Sequence, residues 1–283
     1  MATLDGIVNL NKPSGISSAK ALYRVRSFTL QRKSGHAGTL DPGATGVLVL
    51  CLGRATKLVE SIMDQPKVYR TTARLDVTSE SHDSDRPLVP VDVTRPPARE
   101  AIEAALASFE GSIQQVPPQI SAVKVNGVPA YKRTRHQPPT VLRPRSVTVY
   151  WLHIHRYQWP ELDFEICCGR GTYIRSIIRD LGKRLGTGGC LTSLVRSRVG
   201  PFKLEEAWSL QQLEDLTPSP TQSDPAKNPV INMSEPPYLI SLNRARVLLD
   251  PSRMSIPIRP VGRVIDPTSL RLPVRRVDDT SGR

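Results

Sequence analysis

The stretch GHAGTLDPGATGVLVLCLG, residues 35–53, places a carboxylate, Asp41, in a glycine-rich turn that leads into an apolar strand. Asp-Pro-Gly is a common turn sequence, so Asp41 has a purely structural interpretation. A metal site would need further ligands nearby, and His36 is the histidine that this turn offers. A nucleophilic carboxylate would have to be ionised, fixed and close to a cation, and it could then attack or stabilise an oxocarbenium-like sugar carbon. The turn alone leaves the three interpretations open.

Two tyrosines and an arginine are the groups that could assist such a carboxylate. In GTYIRSIIRDLG, Tyr173 and Arg175 lie where a predicted strand gives way to a helix. A guanidinium group can hold an aspartate ionised, and a tyrosine can stack on a base or donate a proton. Tyr69, in KVYR, lies on another predicted strand. The alternatives are an amphipathic helix with exposed arginines and a strand tyrosine that is simply packed.

The charge of the chain points to a polyanionic partner. The formal net charge is +13, and most of the excess lies in residues 1–210 rather than in the tail. Two basic stretches, YKRTRHQPPTVLRPR (131–145) and SLVRSRVGPF (193–202), overlap predicted loops, which favours contact with phosphates. A basic surface without any ligand is the alternative interpretation.

Other compositional features exclude several classes of protein. The sequence has no apolar run long enough to span a bilayer and no signal-peptide pattern, so we expect a cytoplasmic protein. The four cysteines form no CxxC pair and have no histidine at zinc-finger spacing. We therefore expect neither a structural disulfide nor a zinc site.

The hydrophobic pattern mixes strands and helices without a strict βαβ rhythm. It predicts helices over 17–29 and 172–185, and a third in TRPPAREAIEAALASFEG, capped by Thr94 and stopped by Gly111. Strands are predicted over 46–52 and 67–77, and RSVTVYWLHIHRY and ELDFEICCGR are predicted to form an antiparallel pair. The pattern is typical of an α+β fold with a mixed, mainly antiparallel sheet and packed helices.

The character of the chain changes near residue 212. Residues 211–283 contain 11 of the 26 prolines, separated by Ser, Thr, Asp and Asn. We expect a folded unit over 1–211, followed over 212–283 by a Pro-rich linker and a poorly ordered tail. YLISLNRARVLLDPSRMSIPI is the part of the tail that could add a short element.

Five segments match one known family in order and spacing. NLNKPSGISS, GHAGTLDPGATGVLVLCLGRATKL, KVYR, GTYIRSIIRDLG and SLVRSRVGPF resemble the TruB branch of the pseudouridine synthases. The resemblance covers about residues 4–210. It implies the pseudouridine synthase catalytic fold for 1–211 and isomerisation of uridine 55 to pseudouridine in the T-loop (TΨC arm) of tRNA. It also implies a monomer that needs no cofactor, no metal and no protein partner.

The resemblance assigns roles to individual positions. Asp41 would be the catalytic aspartate, attacking the ribose carbon or, in a competing mechanism, the uracil ring. Tyr69 would stack on the target base and is a candidate for proton transfer, and Arg175 would pair with Asp41. The implied substrate-binding residues are His36, Tyr173, Leu194, Lys12, Lys132, Arg133, Arg135 and Arg196. Residues 124–146 would form the loop that pins the RNA.

The sequence departs from the family pattern at three places. Val195 stands where relatives often have a second arginine, and TRHQPP replaces their usual Ala-Arg-x-Gly. The Pro-rich tail does not resemble the C-terminal RNA-binding domain that many relatives carry. A different class of function, a tRNA-binding or tRNA-folding protein with dispensable catalysis, stays the alternative, although pure binding has no need of Asp41.

Overall fold

The computed structural model describes residues 4–121, 142–216 and 236–260, and the backbone pairing of 124–125 with 128–129. The strands are β1 (Gly6–Lys12), β2 (Ser34–His36), β3 (Thr45–Leu52), β4 (Lys67–Arg74), β5 (Val77–Thr78), β6 (Val89–Pro90), β7 (Gly111–Gln115), β8 (Lys124–Val125), β9 (Val128–Pro129), β10 (Arg145–Gln158), β11 (Glu161–Cys168), β12 (Cys190–Val199), β13 (Phe202–Lys203) and β14 (Leu239–Ser241). The helices are α1 (Ser18–Thr29), α2 (Val59–Asp64), α3 (Arg99–Ala107), α4 (Ile174–Leu185), α5 (Leu210–Asp215) and α6 (Leu242–Leu248).

A large sheet organises the described part of the chain. Its strands follow the order β14-β1-β3-β12-β4-β11-β10-β7. In addition, β2 pairs with β3 and β13 pairs with β12. The pairs are antiparallel except β3 with β12, which run parallel. The predicted mixed, mainly antiparallel sheet is therefore confirmed, and so is the β10–β11 pair.

Strand β3 is buried on both of its faces because successive side chains of a strand point to opposite sides. Leu48, Leu50 and Leu52 enter the larger core, which lies under α1, α3 and α4. Val47, Val49 and Cys51 enter a second core on the other face. The continuous apolar run VLVLCL is explained by this double burial, and it fixes the strand that follows the Asp41 turn.

Helix α4 shows the predicted amphipathic pattern. Ile174, Ile177, Ile178 and Leu181 are buried in the larger core. Gly186 has a φ of +67° and ends the helix in the left-handed conformation that glycine adopts without steric penalty. At its other end, the helix begins directly after its N-cap residue, Tyr173. This start places Arg175 in the first turn.

Helix α3 begins later than the sequence predicts. Its N-cap residue is Ala98, in extended conformation, rather than Thr94. Each proline disfavours helical backbone in the residue before it, so Pro96 and Pro97 keep the preceding chain extended.

Part of the predicted tail packs on the sheet. The sequence predicts a poorly ordered tail from residue 212, yet β14 pairs with the edge of β1, where Ile240 lies opposite Ile7. Ala245 and Leu249 join the second core. The apolar residues of YLISLNRARVLL thus cover one edge and one face of the sheet, and the short element expected there is present.

No helix in the described ranges is long and apolar enough to cross a membrane. The four cysteines are buried and unpaired. Burial raises the pKa of the Cys51, Cys167 and Cys168 thiols to about 12, which makes them poor nucleophiles at neutral pH.

Candidate active site

Asp41 and Arg175 form an ion pair where the turn before β3 meets the first turn of α4. Arg175 Nε lies 3.0 Å from Asp41 Oδ2. The arginine side chain is 5% exposed and the aspartate side chain 39%, so the cation is part of the wall and the carboxylate faces an opening. Arg175 also donates from Nη1 to the Ser81 carbonyl (3.3 Å) and from Nη2 to the Ile120 carbonyl (3.0 Å). These bonds fix the guanidinium group beside the carboxylate.

The turn that carries Asp41 is held from beneath by Arg196. This side chain is 1% exposed. It donates from Nε to the Val47 carbonyl (2.7 Å), and from Nη2 and Nη1 to the carbonyls of Gly38 (3.1 Å) and Thr39 (3.4 Å). Three backbone acceptors in three directions match the rigid fork of a guanidinium group. The turn is thereby tied to β12.

Lys12 and Ser18 hold the two sides of the same turn. Lys12 is completely buried, and its Nζ donates to the carbonyls of Pro13 (2.8 Å), Ile16 (2.8 Å) and Pro42 (3.2 Å). Burial lowers the pKa of Lys12 to about 8, against the attraction of Asp41. The Ser18 hydroxyl both accepts from the Leu40 amide (2.8 Å) and donates to the Leu40 carbonyl (3.0 Å).

Asp41 opens into a cavity of about 370 Å³. Its lining includes Tyr69, Tyr173 and Leu194, and five cations: Lys67, Arg145, Arg170, Arg175 and Arg196. Asp41 is the one carboxylate in the lining that the structure describes. A larger cleft, between Arg54 and Arg244, lies outside this group of side chains and does not contain the Asp–Arg pair.

Tyr69 and Tyr173 supply the aromatic walls. Tyr69, on β4, is 8% exposed, and burial raises the pKa of its hydroxyl although Arg196 opposes that shift. Tyr173 is fixed through its backbone: its amide donates to Gln115 Oε1 (2.8 Å), and its carbonyl accepts from Gln115 Nε2 (3.2 Å). The cavity therefore offers a planar ligand the protonated phenol of Tyr69 and a second aromatic ring, that of Tyr173, whose backbone is held by Gln115.

Comparison with known proteins assigns the chain to a family. Residues 26–174 match the model described as TruB family pseudouridylate synthase (N terminal domain), and residues 175–231 match tRNA pseudouridylate synthase B C-terminal domain. The tRNA pseudouridine synthase B of Francisella tularensis subsp. holarctica is 41% identical over 76% of this chain and 71% of that protein. The chain belongs to the TruB family of tRNA pseudouridine synthases. The tRNA pseudouridine synthase B of Francisella philomiragia is 40% identical over the same shares.

Solved structures agree with the TruB fold. A chain from "Crystal Structure of a Cbf5-Nop10-Gar1 Complex" superposes with a TM-score of 0.59 and 31% identity over 75% of this chain. A chain from "Structure of H/ACA RNP bound to a substrate RNA containing 2'-deoxyuridine" superposes with a TM-score of 0.56 and 27% identity over 76% of this chain. This chain spans about half of the length of those two chains, 54% in each case.

The TruB motifs bring most of the predicted site residues to one cavity. Those that line it are Asp41, Tyr69, Tyr173, Arg175, Leu194 and Arg196. Lys12 donates to three backbone carbonyls, and Arg196 lines the cavity while its guanidinium group donates to three others, so their contacts with a substrate stay a prediction. Both position the Asp41 turn. Lys132, Arg133 and Arg135 lie outside the described residues.

His36 lies near the cavity but not in its lining. It is half-buried at the end of β2, where burial and the neighbouring Arg196 lower the pKa of the imidazole. The ring is therefore neutral at physiological pH. No group of three His, Cys, Asp or Glu side chains placed to hold a metal ion is found in the ranges that the structure describes.

Sequence reasoning missed several residues around the cavity. Lys67 lines it, and Gln115, on β7, fixes the backbone of Tyr173. Asp83 interacts electrostatically with both Arg175 and Asp41, and burial raises the pKa of its carboxyl to about 6 although Arg175 opposes that shift. Arg145, which the sequence analysis included in the basic stretch 131–145, also lines the cavity.

Proposed function

We propose that this TruB-family chain isomerises uridine 55 in the T-loop of tRNA to pseudouridine, with Asp41 as the nucleophile. The observation that carries the proposal is the pairing of Asp41 with Arg175 in a cavity walled by Tyr69 and Tyr173. The sequence resemblance supports the position of the target uridine. The names of the relatives support tRNA as the substrate.

The reaction requires the target base to leave its stack. An enzyme acting on a base in structured RNA extrudes the nucleotide into a pocket with aromatic or apolar walls. A volume of about 370 Å³ falls in the range of ligand cavities. The cations around it favour the approach of a polyanion. Tyr69 would stack on the extruded uracil.

The chemical steps balance without water or an external reagent. Asp41 attacks C1′ of the ribose, or C6 of the uracil in the competing mechanism, and the N1–C1′ bond breaks. The uracil turns while the cavity holds it, and C5 bonds to C1′ as the Asp41–C1′ bond breaks; in the competing mechanism the Asp41–C6 bond breaks instead. The C5 proton then leaves, N1 gains a proton and the free carboxylate is restored. Arg175 orients the carboxylate, because its guanidinium group lies 3.0 Å from Asp41 Oδ2 and is itself fixed by two backbone carbonyls. Tyr69, as a protonated phenol, is a candidate for proton transfer.

The remaining parts of the proposal concern the molecule as a whole. Residues 1–211 would form the catalytic domain and residues 124–146 would pin the RNA. The chain would act on the T-arm as a cytoplasmic monomer, without a cofactor or protein partner. The basic residues of 131–145 would contact phosphates.

The release of tritium from tRNA labelled at uracil C5 tests the chemistry. Asp41→Asn should lose at least about 10³-fold in rate, because the amide is not an anionic nucleophile, and should keep its affinity for tRNA. Asp76→Asn is the matched control, since Asp76 also pairs with an arginine, Arg74, but lies outside the cavity lining. Full turnover by Asp41→Asn would refute the proposal. Binding without tritium release by the wild type would favour the tRNA-folding alternative.

A further inference from the structure

Arg145 presents two buried donors without acceptors at the wall of the Asp41 cavity. Its Nε and Nη2 are both buried and have no hydrogen-bond partner in the described part of the chain. These two nitrogens lie on the same edge of the guanidinium group. That edge makes paired bonds to two oxygens of one carboxylate or phosphate.

The guanidinium group is held in this orientation by its neighbours. Its carbon lies 5.0 Å from the centre of the Tyr173 ring, in a cation–π contact. Gln115, which fixes the backbone of Tyr173, is also the strand partner of Arg145 in the β7–β10 pair. The face of the guanidinium group is thus occupied by the ring, whereas the donor edge is not.

A second unused donor lines the same cavity. Ser121 is 5% exposed, and its hydroxyl is buried without a partner among the described residues. Buried donors without acceptors are costly, so two such groups in one cavity indicate a ligand that supplies oxygens. The other lining arginines already have acceptors: Arg170 pairs with Glu60 and Asp64, and Arg175 and Arg196 donate to carbonyls.

We propose that Arg145 and Ser121 form a binding site for the phosphodiester adjacent to the extruded uridine, an inference that rests on the proposed function. The uracil edge does not fit the fork, because its two carbonyl oxygens are separated by an N–H donor. The two non-bridging oxygens of a phosphodiester do fit it. Phosphate contacts fix register and orientation on nucleic acid. Arg145 would therefore anchor the backbone of the nucleotide whose sugar Asp41 must reach.

The test uses T-arm stem-loop RNAs with a neutral methylphosphonate at either phosphate flanking the target uridine. Binding is measured by fluorescence anisotropy. With wild-type protein, one of the two substitutions should weaken binding about tenfold. Arg145→Ala should bind the natural RNA about tenfold more weakly and show no further loss with that methylphosphonate. Arg145→Lys, which keeps the charge but not the fork, should lose most of the same sensitivity.

Arg143→Ala is the matched control, because Arg143 is exposed and lies two residues away in the same basic stretch. This variant should bind all three RNAs more weakly by the same factor, and the methylphosphonate should still reduce its affinity as it does for the wild type. Thermal melting checks that each variant is folded. If Arg145→Ala does not fold, the RNA binding of Arg145→Lys tests the proposal instead. If a folded Arg145 variant lost as much affinity on methylphosphonate substitution as the wild type does, the proposal would be overturned. Absence of tritium release by wild type would refute the proposed function and leave the binding result decisive for Arg145.

Discussion

Arg175 Nε lies 3.0 Å from Asp41 Oδ2, yet the arginine side chain is 5% exposed and the aspartate side chain 39%. The pair is thus asymmetric: the cation is enclosed in the wall and the anion faces the cavity. An enclosed guanidinium group with fixed acceptors cannot follow a moving carboxylate, so it selects one orientation of Asp41. This is the preorganisation that a nucleophile needs before the substrate arrives.

The first prediction concerns the three acceptors of Arg175. In Arg175→Lys a single ammonium group replaces the fork and cannot reach Asp41 and both carbonyls at once. We expect a loss of about 100-fold in tritium release. Arg175→Ala should lose more, together with about 1–3 kcal/mol of unfolding free energy, because the carbonyls of Ser81 and Ile120 lose their donors. Single-turnover kinetics and urea unfolding measure the two effects separately.

Arg179→Lys serves as the control, one helical turn further along α4. Arg179 pairs with Asp180 and donates to the Val116 carbonyl, outside the cavity lining. It should keep its rate within about twofold, as expected for a substitution away from the site. Wild-type rates in a folded Arg175→Ala protein would contradict the role assigned to the ion pair.

The second prediction compares Gly43, in the Asp41 turn, with Gly46, the second residue of β3. Gly46 has a φ of +99°, and a Cβ there would lie 2.3 Å from the backbone oxygen of Arg196. Gly46→Ala should therefore destabilise the protein by about 2–4 kcal/mol and reduce activity, because the β3–β12 contact has to open. At Gly43 a Cβ would meet nothing within 4 Å. Gly43→Ala should change the unfolding free energy by no more than about 0.5 kcal/mol.

Denaturant unfolding of the two glycine variants checks this comparison. Both substitutions add the same methyl group at positions three residues apart, so the comparison isolates the backbone conformation and the local space. Equal effects of the two would show that the backbone of Arg196 does not lie against Gly46.

The parts of the fold that follow from local patterns were predictable. The double burial of β3, the β10–β11 pair and the apolar face of α4 are all encoded within a few residues of chain. Asp41 and Arg175 were predicted as a pair because each lies in a motif of characteristic residues. The predicted start of α3 at Thr94 was wrong, because Pro96 and Pro97 keep the chain extended up to Ala98 although Thr94 is a good capping residue.

The roles of the buried cations could not be read from the sequence. Lys12 and Arg196 are residue types that often contact phosphates, but here they donate to backbone carbonyls of the Asp41 turn and of the chain next to it. For Arg196 those carbonyls belong to Gly38, Thr39 and Val47, about 150 residues earlier in the chain. A carbonyl is present at every position, so no residue type signals that it will accept a bond. Arg145 has two neighbours, Tyr173 and Gln115, that the sequence also did not reveal. The three residues meet only when β7, β10 and α4 assemble.

The third prediction concerns the pH dependence of stability and follows from Asp83. Burial raises the pKa of this carboxyl to about 6 in the folded protein, from an ordinary value near 3.9 in the unfolded chain. Between about pH 4 and 6 the folded state therefore holds a proton that the unfolded state has lost. Stability falls as the pH rises through this window, and the loss is complete above pH 6.

Asp83→Asn removes this dependence. Relative to wild type, the variant should gain stability progressively from pH 4 to 6 and then keep a constant advantage. We expect that advantage to be about 1 kcal/mol, because the group is partly exposed and solvent screens it. Urea midpoints at closely spaced pH values measure the difference.

The control for Asp83 is Asp76→Asn, which should behave with the opposite sign. The hydrogen bond from Arg74 holds the pKa of Asp76 below its usual value, although partial burial opposes it. Its stabilisation is therefore present above pH 4 and lost as the pH falls through the depressed pKa. Asp76→Asn should be less stable than wild type at neutral pH, and that deficit should shrink in acid. If Asp83→Asn followed the same course, the Asp83 carboxyl would be ionised by Arg175 at pH 4, and the charge beside Asp41 would not change between pH 4 and 6.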